Sequence, residues 1–141
     1  MATNTDYLDA QDKIHEKVAQ LEALLALIIA TENKCLIEGV KELTKENIFY
    51  LAGGLADDIA AAVTVIYQAG SPGRLSPAII EALCFKSNHL CALFDVLNAH
   101  LPAVERMTDR IQQNLVWLAS SLVDDIHRLA NPASDNVLIA A

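Results

Sequence analysis

Apolar residues in this chain recur at three- and four-residue steps, the spacing that collects them on one face of an α-helix. They do so in four separate stretches. Ile14, Val18, Leu21, Leu24 or Leu25, and Ile28 mark a first helix that starts near Asp6 or Asp9. Carboxylates there suit the positive end of the helix dipole. From Ala23 onward this helix is apolar nearly all round, which predicts burial on several sides. The pattern breaks at Glu32-Asn33-Lys34, and a connector runs from Cys35 to Leu43. Thr44 is a suitable N-cap for a second helix, carried by Ile48, Ala52, Leu55, Ile59, Ala62 or Val63, and Ile66 to Ala69. Gly70 ends it, and Gly70-Ser71-Pro72-Gly73 is the strongest loop signal in the chain.

Ser76 followed by Pro77 is an N-cap and first-turn pair that opens a third helix. Its inward stripe is Ile80, Leu83, Cys84, Ser87, Leu90, Cys91, Phe94 and Leu97. Leu101-Pro102 marks a turn. A fourth helix follows on Val104, Met107, Ile111, Leu115, Leu118, Leu122, Ile126 and Leu129, and Asn131-Pro132 stops it near Ala130. The tail from Val137 to Ala141 is apolar and short, and it is expected to fold back onto the helices.

The second and fourth stretches share more than periodicity. Asn47-Ile48-Phe49-Tyr50-Leu51-Ala52-Gly53-Gly54-Leu55-Ala56-Asp57-Asp58-Ile59 returns sixty-seven residues later as Asn114-Leu115-Val116-Trp117-Leu118-Ala119-Ser120-Ser121-Leu122-Val123-Asp124-Asp125-Ile126. Seven of the thirteen positions are identical, including an Asn and an Asp-Asp pair that helical spacing alone does not require. In the first and third stretches Lys17, Leu21, Ala23 and Leu24 recur as Lys86, Leu90, Ala92 and Leu93, sixty-nine residues on. The chain therefore reads as a tandem duplication of a helical hairpin. One hairpin cannot bury both apolar faces, whereas two can bury them against each other. The expected fold is all-α, a four-helix bundle of two tandem hairpins related by an approximate two-fold axis. Residues 1–141 form one domain: a first hairpin over about 6–70, a linker over 70–76, a second hairpin over about 77–131, and the tail.

Composition narrows the function classes. The chain of 141 residues is 53 % apolar, with a formal charge of −8 and a pI near 4.8. An acidic surface offers little to nucleic acid or to an anionic membrane, so neither is an expected partner. A local basic face of Lys41, Lys45, Arg106 and Arg110 is the one route back to nucleic acid. The excess of apolar residues favours self-association or a protein partner. The N-terminus has no basic segment followed by an apolar one, and the longest apolar run, Ala23 to Ala30, is far too short to span a bilayer. Cys84 and Cys91, seven apart on one helix, lie roughly 10 Å apart at about 1.5 Å rise per residue and cannot bridge. A reduced, cytoplasmic chain is expected.

Candidate chemistry is sparse. Residues kept in both copies serve something both hairpins need. Leu51, Ala52, Leu55 and Ile59 with their counterparts are expected in the core. The small pairs Gly53-Gly54 and Ser120-Ser121 either admit a neighbouring helix or open a cleft. Asp57-Asp58 and Asp124-Asp125 are either a solvated acidic face, with Asp124 reaching Arg128 at i,i+4, or a carboxylate cluster binding a cation at the pseudo-axis. With His127, they are the candidate polar lining of a metal or small-molecule site. Asp124-x-x-His127 imitates half of a di-metal bundle motif, but the first copy has Ala60 where the second has His127. Tyr50 and Trp117 either close the rim of the core or contact a partner. His15, His89 and His100 show no metal-ligand spacing, and His89 lies off the face that carries Cys84 and Cys91. No Ser-His-Asp arrangement, phosphate loop or zinc-ribbon spacing is present, so no cofactor is expected.

Gln20-Leu21-x-Ala23-Leu24-Leu25, followed by Asn47-x-x-Tyr50-Leu51-Ala52-x-x-Leu55, resembles a group of short uncharacterised bacterial helical proteins. In these a Leu-x-Ala-Leu-Leu helix leads to an Asn-Tyr-Leu-Trp-type helix. The second half repeats the resemblance through Leu90-x-Ala92-Leu93 and Asn114-x-x-Trp117-Leu118-Ala119. The connector departs from that pattern by lacking a Gly-Glu and a Phe after the first helix. The resemblance implies helical hairpins and brings no activity or site residue with it. The leading expectation is a non-enzymatic interaction or regulatory module that presents a helical surface to a protein. The alternative is a metal- or small-molecule-binding bundle, possible also as an enzyme.

Overall fold

A computed structural model describes residues 4–32, 42–69, 75–100 and 109–131 of the chain. These hold four helices: α1 (Asn4–Glu32), α2 (Glu42–Gln68), α3 (Pro77–Ala99) and α4 (Asp109–Ala130). They form a four-helix bundle in which α1 packs on α2, α2 on α3, α3 on α4, and α4 back on α1. Consequently α2 and α4 stand on one diagonal and α1 and α3 on the other. Contacts across the seams show that neighbours run antiparallel. Cys91 and Asn98 of α3 reach the carbonyls of Ala56 and Phe49 of α2, so one index climbs by seven as the other falls by seven. On the opposite seam Gln11 Nε2 donates to the Ala130 carbonyl at 3.3 Å, and His15 meets His127.

Local chemistry explains the helix limits that the described residues cover. Ser76, with φ −70° and ψ 158°, accepts a hydrogen bond on Oγ from the Ile79 N–H at 3.3 Å, and Pro77 fills the first turn. The other end of α3 closes with the His100 N–H on the Val96 carbonyl at 3.0 Å. Helix α4 ends with the Asn131 N–H on the Arg128 carbonyl at 3.3 Å. Pro132, next in sequence, has no N–H with which to continue. His127 and Arg128 occupy the last turn of α4, where cations suit the dipole. Two boundaries differ from expectation. Helix α1 starts at Asn4, before Asp6, because Tyr7 and Ala10 extend its buried face by a further turn. Helix α2 starts at Glu42, so Thr44 lies inside its first turn and is not its cap. The 70–73 loop, the Leu101-Pro102 turn, Val104, Met107, and the 137–141 tail lie outside the described residues.

The core follows the helical period. Ile14, Val18, Leu21 and Leu25 of α1, Ala52, Ile59, Val63 and Ile66 of α2, and Leu83, Leu90 and Phe94 of α3 are all buried. At roughly 1.5–3 kcal/mol for each large side chain removed from water, this interface is the main favourable term in folding. Ser87, the one buried polar residue among those described, donates from Oγ to the Cys84 carbonyl at 3.2 Å.

Most positions paired by the recurring sequence are alike in burial. Residues 14–28 of α1 and 83–97 of α3 agree in burial position by position. Ala52, Leu55, Ala56 and Ile59 of α2 are buried, and so are Ala119, Leu122, Val123 and Ile126 of α4. This overturns part of the expected core. Leu51 and its counterpart Leu118 are 55 % and 49 % exposed, and Ile111 is 46 % exposed. Val116, Ala119 and Val123 take their place in the α4 stripe. The reason is angular: at about 100° per residue Leu118 falls on the opposite flank of the stripe from Val116 and Val123, about 80° from the buried Ile126.

Within α2, Asn47–Gln68 is long and apolar enough to cross a membrane by length and composition, although no uninterrupted apolar run is. The bundle buries 33 % of an 18-residue stretch of that segment, on the face that meets the core. Asp57 and Asp58 at its centre would each cost about 2.5–3.5 kcal/mol in a bilayer interior.

Candidate functional site

Tyr50 and Trp117 are matched residues, and both face solvent, at 78 % and 54 % exposure. The geometry of the helix dictates this. Each lies nine residues before a fully buried isoleucine, Ile59 or Ile126, and nine steps of about 100° bring the side chain to the opposite side. Neither closes the rim of the core. Leu51 and Leu118 adjoin them, so each of α2 and α4 presents an exposed aromatic–aliphatic pair at the same place in its repeat unit. Because α2 and α4 are diagonal, the two pairs look out from opposite sides of the bundle.

The five residues considered as a polar lining are not brought together. Asp58 pairs with Lys17 of α1 at 3.6 Å, and Asp125 pairs with Lys86 of α3 at 3.1 Å. These contacts are equivalents: the repeat matches Lys17 to Lys86 and Asp58 to Asp125. Each ties the two helices of one hairpin to each other. Such half-exposed pairs are worth up to about 1 kcal/mol. Asp57 and Asp124 point to solvent on separate helices. The Arg128 guanidinium bonds Asp125 at 2.9 Å, at i,i+3, and not Asp124 as expected. Asp125 is already held by Lys86, so a fixed carboxylate stands one turn from Arg128. His127 turns to α1, with Nδ1 3.8 Å from Glu22 Oε1 and its ring edge-on to His15 at 6.4 Å. Among the described residues no three His, Cys, Asp or Glu side chains converge as metal ligands would.

The two glycines of the first small pair have different roles. A Cβ on Gly53 would lie 2.8 Å from Asn98 Nδ2 and 3.6 Å from Phe94 Cβ, so the missing side chain lets α3 close on α2. In that space Asn98 Nδ2 donates to the Phe49 carbonyl at 3.1 Å. Gly54 is exposed, and a Cβ there meets nothing within 4 Å.

Cys84 and Cys91 are poor nucleophiles. Burial pushes the Cys91 thiol up to about 12, helped by the nearby carboxylates of Asp57 and Asp95. Its Sγ also donates to the Ala56 carbonyl at 3.4 Å. Burial, then the charge of Glu81, raises Cys84. Both thiols stay protonated at neutral pH, so neither supplies a thiolate. His89 is exposed beside Phe85, away from both. Of the basic residues considered together, Arg110 is exposed at the start of α4, Lys45 lies in α2, and Lys41 and Arg106 fall outside the described residues.

Sequence reasoning missed two features. One is the pairing of the recurring lysines with the recurring aspartates, Lys17 with Asp58 and Lys86 with Asp125. The other is a groove of about 450 Å³ between α1 and α2, floored by Ala10, Ala62 and Val65. Its signal was present as two small residues, Ala10 and Ala62, where the matched half has Ile79 and Leu129. No family model matches the chain, and no curated protein or solved structure matches it either.

Proposed function

We propose that this protein is a non-enzymatic interaction module that engages a protein partner through the outer faces of α2 and α4. The observation that carries the reading is the exposure of Tyr50 and Trp117 at matched positions. Large aromatic side chains are retained there in both halves although the bundle does not bury them. Tyr and Trp dominate the energetics of protein interfaces, because they remove much apolar area from water while ordering few torsions. Leu51 and Leu118 widen each patch. With the two faces on opposite sides, one chain would engage two partner surfaces at once.

The test compares association with folding. Alanine at an exposed position shifts stability by about 0.5 kcal/mol or less, whereas truncating an interface anchor costs about 2 kcal/mol or more in binding. Tyr50→Ala and Trp117→Ala, singly and together, should lower the sedimentation-measured mass of the native assembly, or its retention of a partner, with little change in melting temperature. A large fall in melting temperature with unchanged association would make both residues structural and end the proposal.

A further inference from the structure

The two halves agree closely in burial, and the place where they part company is informative. Ala10 and Ala62 of the first half correspond to Ile79 and Leu129 of the second, and these larger residues pack against the core. The first half is left with the α1–α2 groove, of about 450 Å³. Its rim is also peculiar to that half. Asp6 and Asp9 border the groove where the second half has Leu75 and Ala78. Asp58 adds a third carboxylate, shared with Lys17, and Lys13 is the one cation among the described lining residues. The bundle itself requires neither the small floor nor Asp6 and Asp9, since the second half packs with Ile79, Leu129, Leu75 and Ala78 in their places.

We infer that this groove is a docking site for a basic segment of a protein partner, one that lays lysine or arginine stems on the alanine floor. The inference rests on the interaction-module reading and names a second, separate surface for it. Charge complementarity selects the occupant. A lysine or arginine side chain has an aliphatic stem that suits an apolar floor and a cationic head that reaches a carboxylate rim. The chain's formal charge of −8 steers a basic segment toward it from a distance.

The second half also supplies the test. Arg128 occupies the position matched to Ala61, on the groove's border, and there it bonds Asp125. Ala61→Arg should place the same side chain over Asp58 and close the groove. Ala61 is exposed, so folding should survive. The probe is a synthetic amphipathic peptide with lysine and arginine on one face and leucine on the other, titrated calorimetrically into the full-length protein. The wild type should bind in a salt-sensitive manner. Ala61→Arg should weaken binding tenfold or more, Asp9→Ala should weaken it less, and Trp117→Ala should leave it unchanged. Melting temperatures of all three should match the wild type. No binding by the wild type, or equal affinity in Ala61→Arg, overturns the groove while leaving the aromatic faces untouched. Loss of binding in Trp117→Ala alone overturns it in favour of those faces. Full displacement of the peptide by spermidine at equal charge would assign the groove to a free polyamine and overturn the protein occupant.

Discussion

Gly53 and Gly54 are neighbours in one helix, and alanine should act on them differently. A mid-helix Gly→Ala change gains about 1 kcal/mol, because the unfolded chain loses freedom and the helix loses a poor former. At Gly54 nothing lies within 4 Å of the new methyl group, so the full gain should appear. At Gly53 the methyl group would come within 2.8 Å of Asn98 Nδ2. The amide is the end of a flexible side chain and can swing away, but it then gives up its 3.1 Å bond to the Phe49 carbonyl. Such a bond contributes about 0.5–1.5 kcal/mol net. The gain and the loss are the same size, so Gly53→Ala should come out near zero. For a chain of this length 1 kcal/mol moves the melting temperature by roughly 3–5 °C. Gly54→Ala should thus melt several degrees above Gly53→Ala in calorimetry or circular dichroism. Asn98→Ala supplies the control. In that background the obstacle is gone, and Gly53→Ala should recover its full stabilisation, giving a coupling of about 1 kcal/mol in the double-mutant cycle. If Gly53→Ala is as stabilising as Gly54→Ala in the wild type, or if the cycle shows no coupling, the close approach of α3 to Gly53 is not what holds that seam.

Further outcomes are expected. Double-mutant cycles on Lys17–Asp58 and on Lys86–Asp125 should each give a coupling below about 1 kcal/mol that shrinks with added salt. Asp125→Ala should cost more than Asp58→Ala, because Asp125 also holds Arg128. Tyr7 is 1 % exposed and its hydroxyl has no hydrogen-bond partner among the described residues, so Tyr7→Phe should leave chemical-denaturation stability unchanged or raise it by up to about 1–3 kcal/mol. Burial and Asp57 raise the folded Cys91 thiol from 9.0 to about 12, so folding holds a proton that the unfolded chain releases. That contribution is fully present below pH 9 and is lost as pH rises toward 12. Cys91→Ala should accordingly flatten the decline of stability with pH over that range. In a thiol-labelling assay at pH 8, Cys91 should react more slowly than an unfolded cysteine.

What could be read from the chain, and what could not, divides along one physical line. Helical periodicity reports the angle between side chains on one helix. From it came four helices and the buried stripe from Ile14 to Ile28, while Asn131-Pro132 marked the end of α4 near Ala130. The N-cap of α3 was equally legible, because Ser76 and Pro77 act on backbone groups within one turn. Repeated residues marked positions that both hairpins need, and Ala52, Leu55 and Ile59 with their counterparts are buried.

Periodicity does not report where the neighbouring helix stands. Leu51 and Leu118 lie on the flank of the stripe, and only the placement of the adjoining helices decided that they stay exposed. The same ignorance hid the partners of charged residues. Arg128 could reach either Asp124 or Asp125 along its own helix, and Lys86, arriving from α3, settled the matter. It also left open whether the two Asp-Asp pairs meet. They do not, because α2 and α4 are diagonal in the bundle and each Asp58 or Asp125 is taken by the lysine of its own hairpin. The sequence alone determined which faces had to be buried, since that depends on side-chain chemistry at a fixed angular step. Which polar groups met, and where small side chains left a groove, depended on distances between helices and was decided only in the folded bundle.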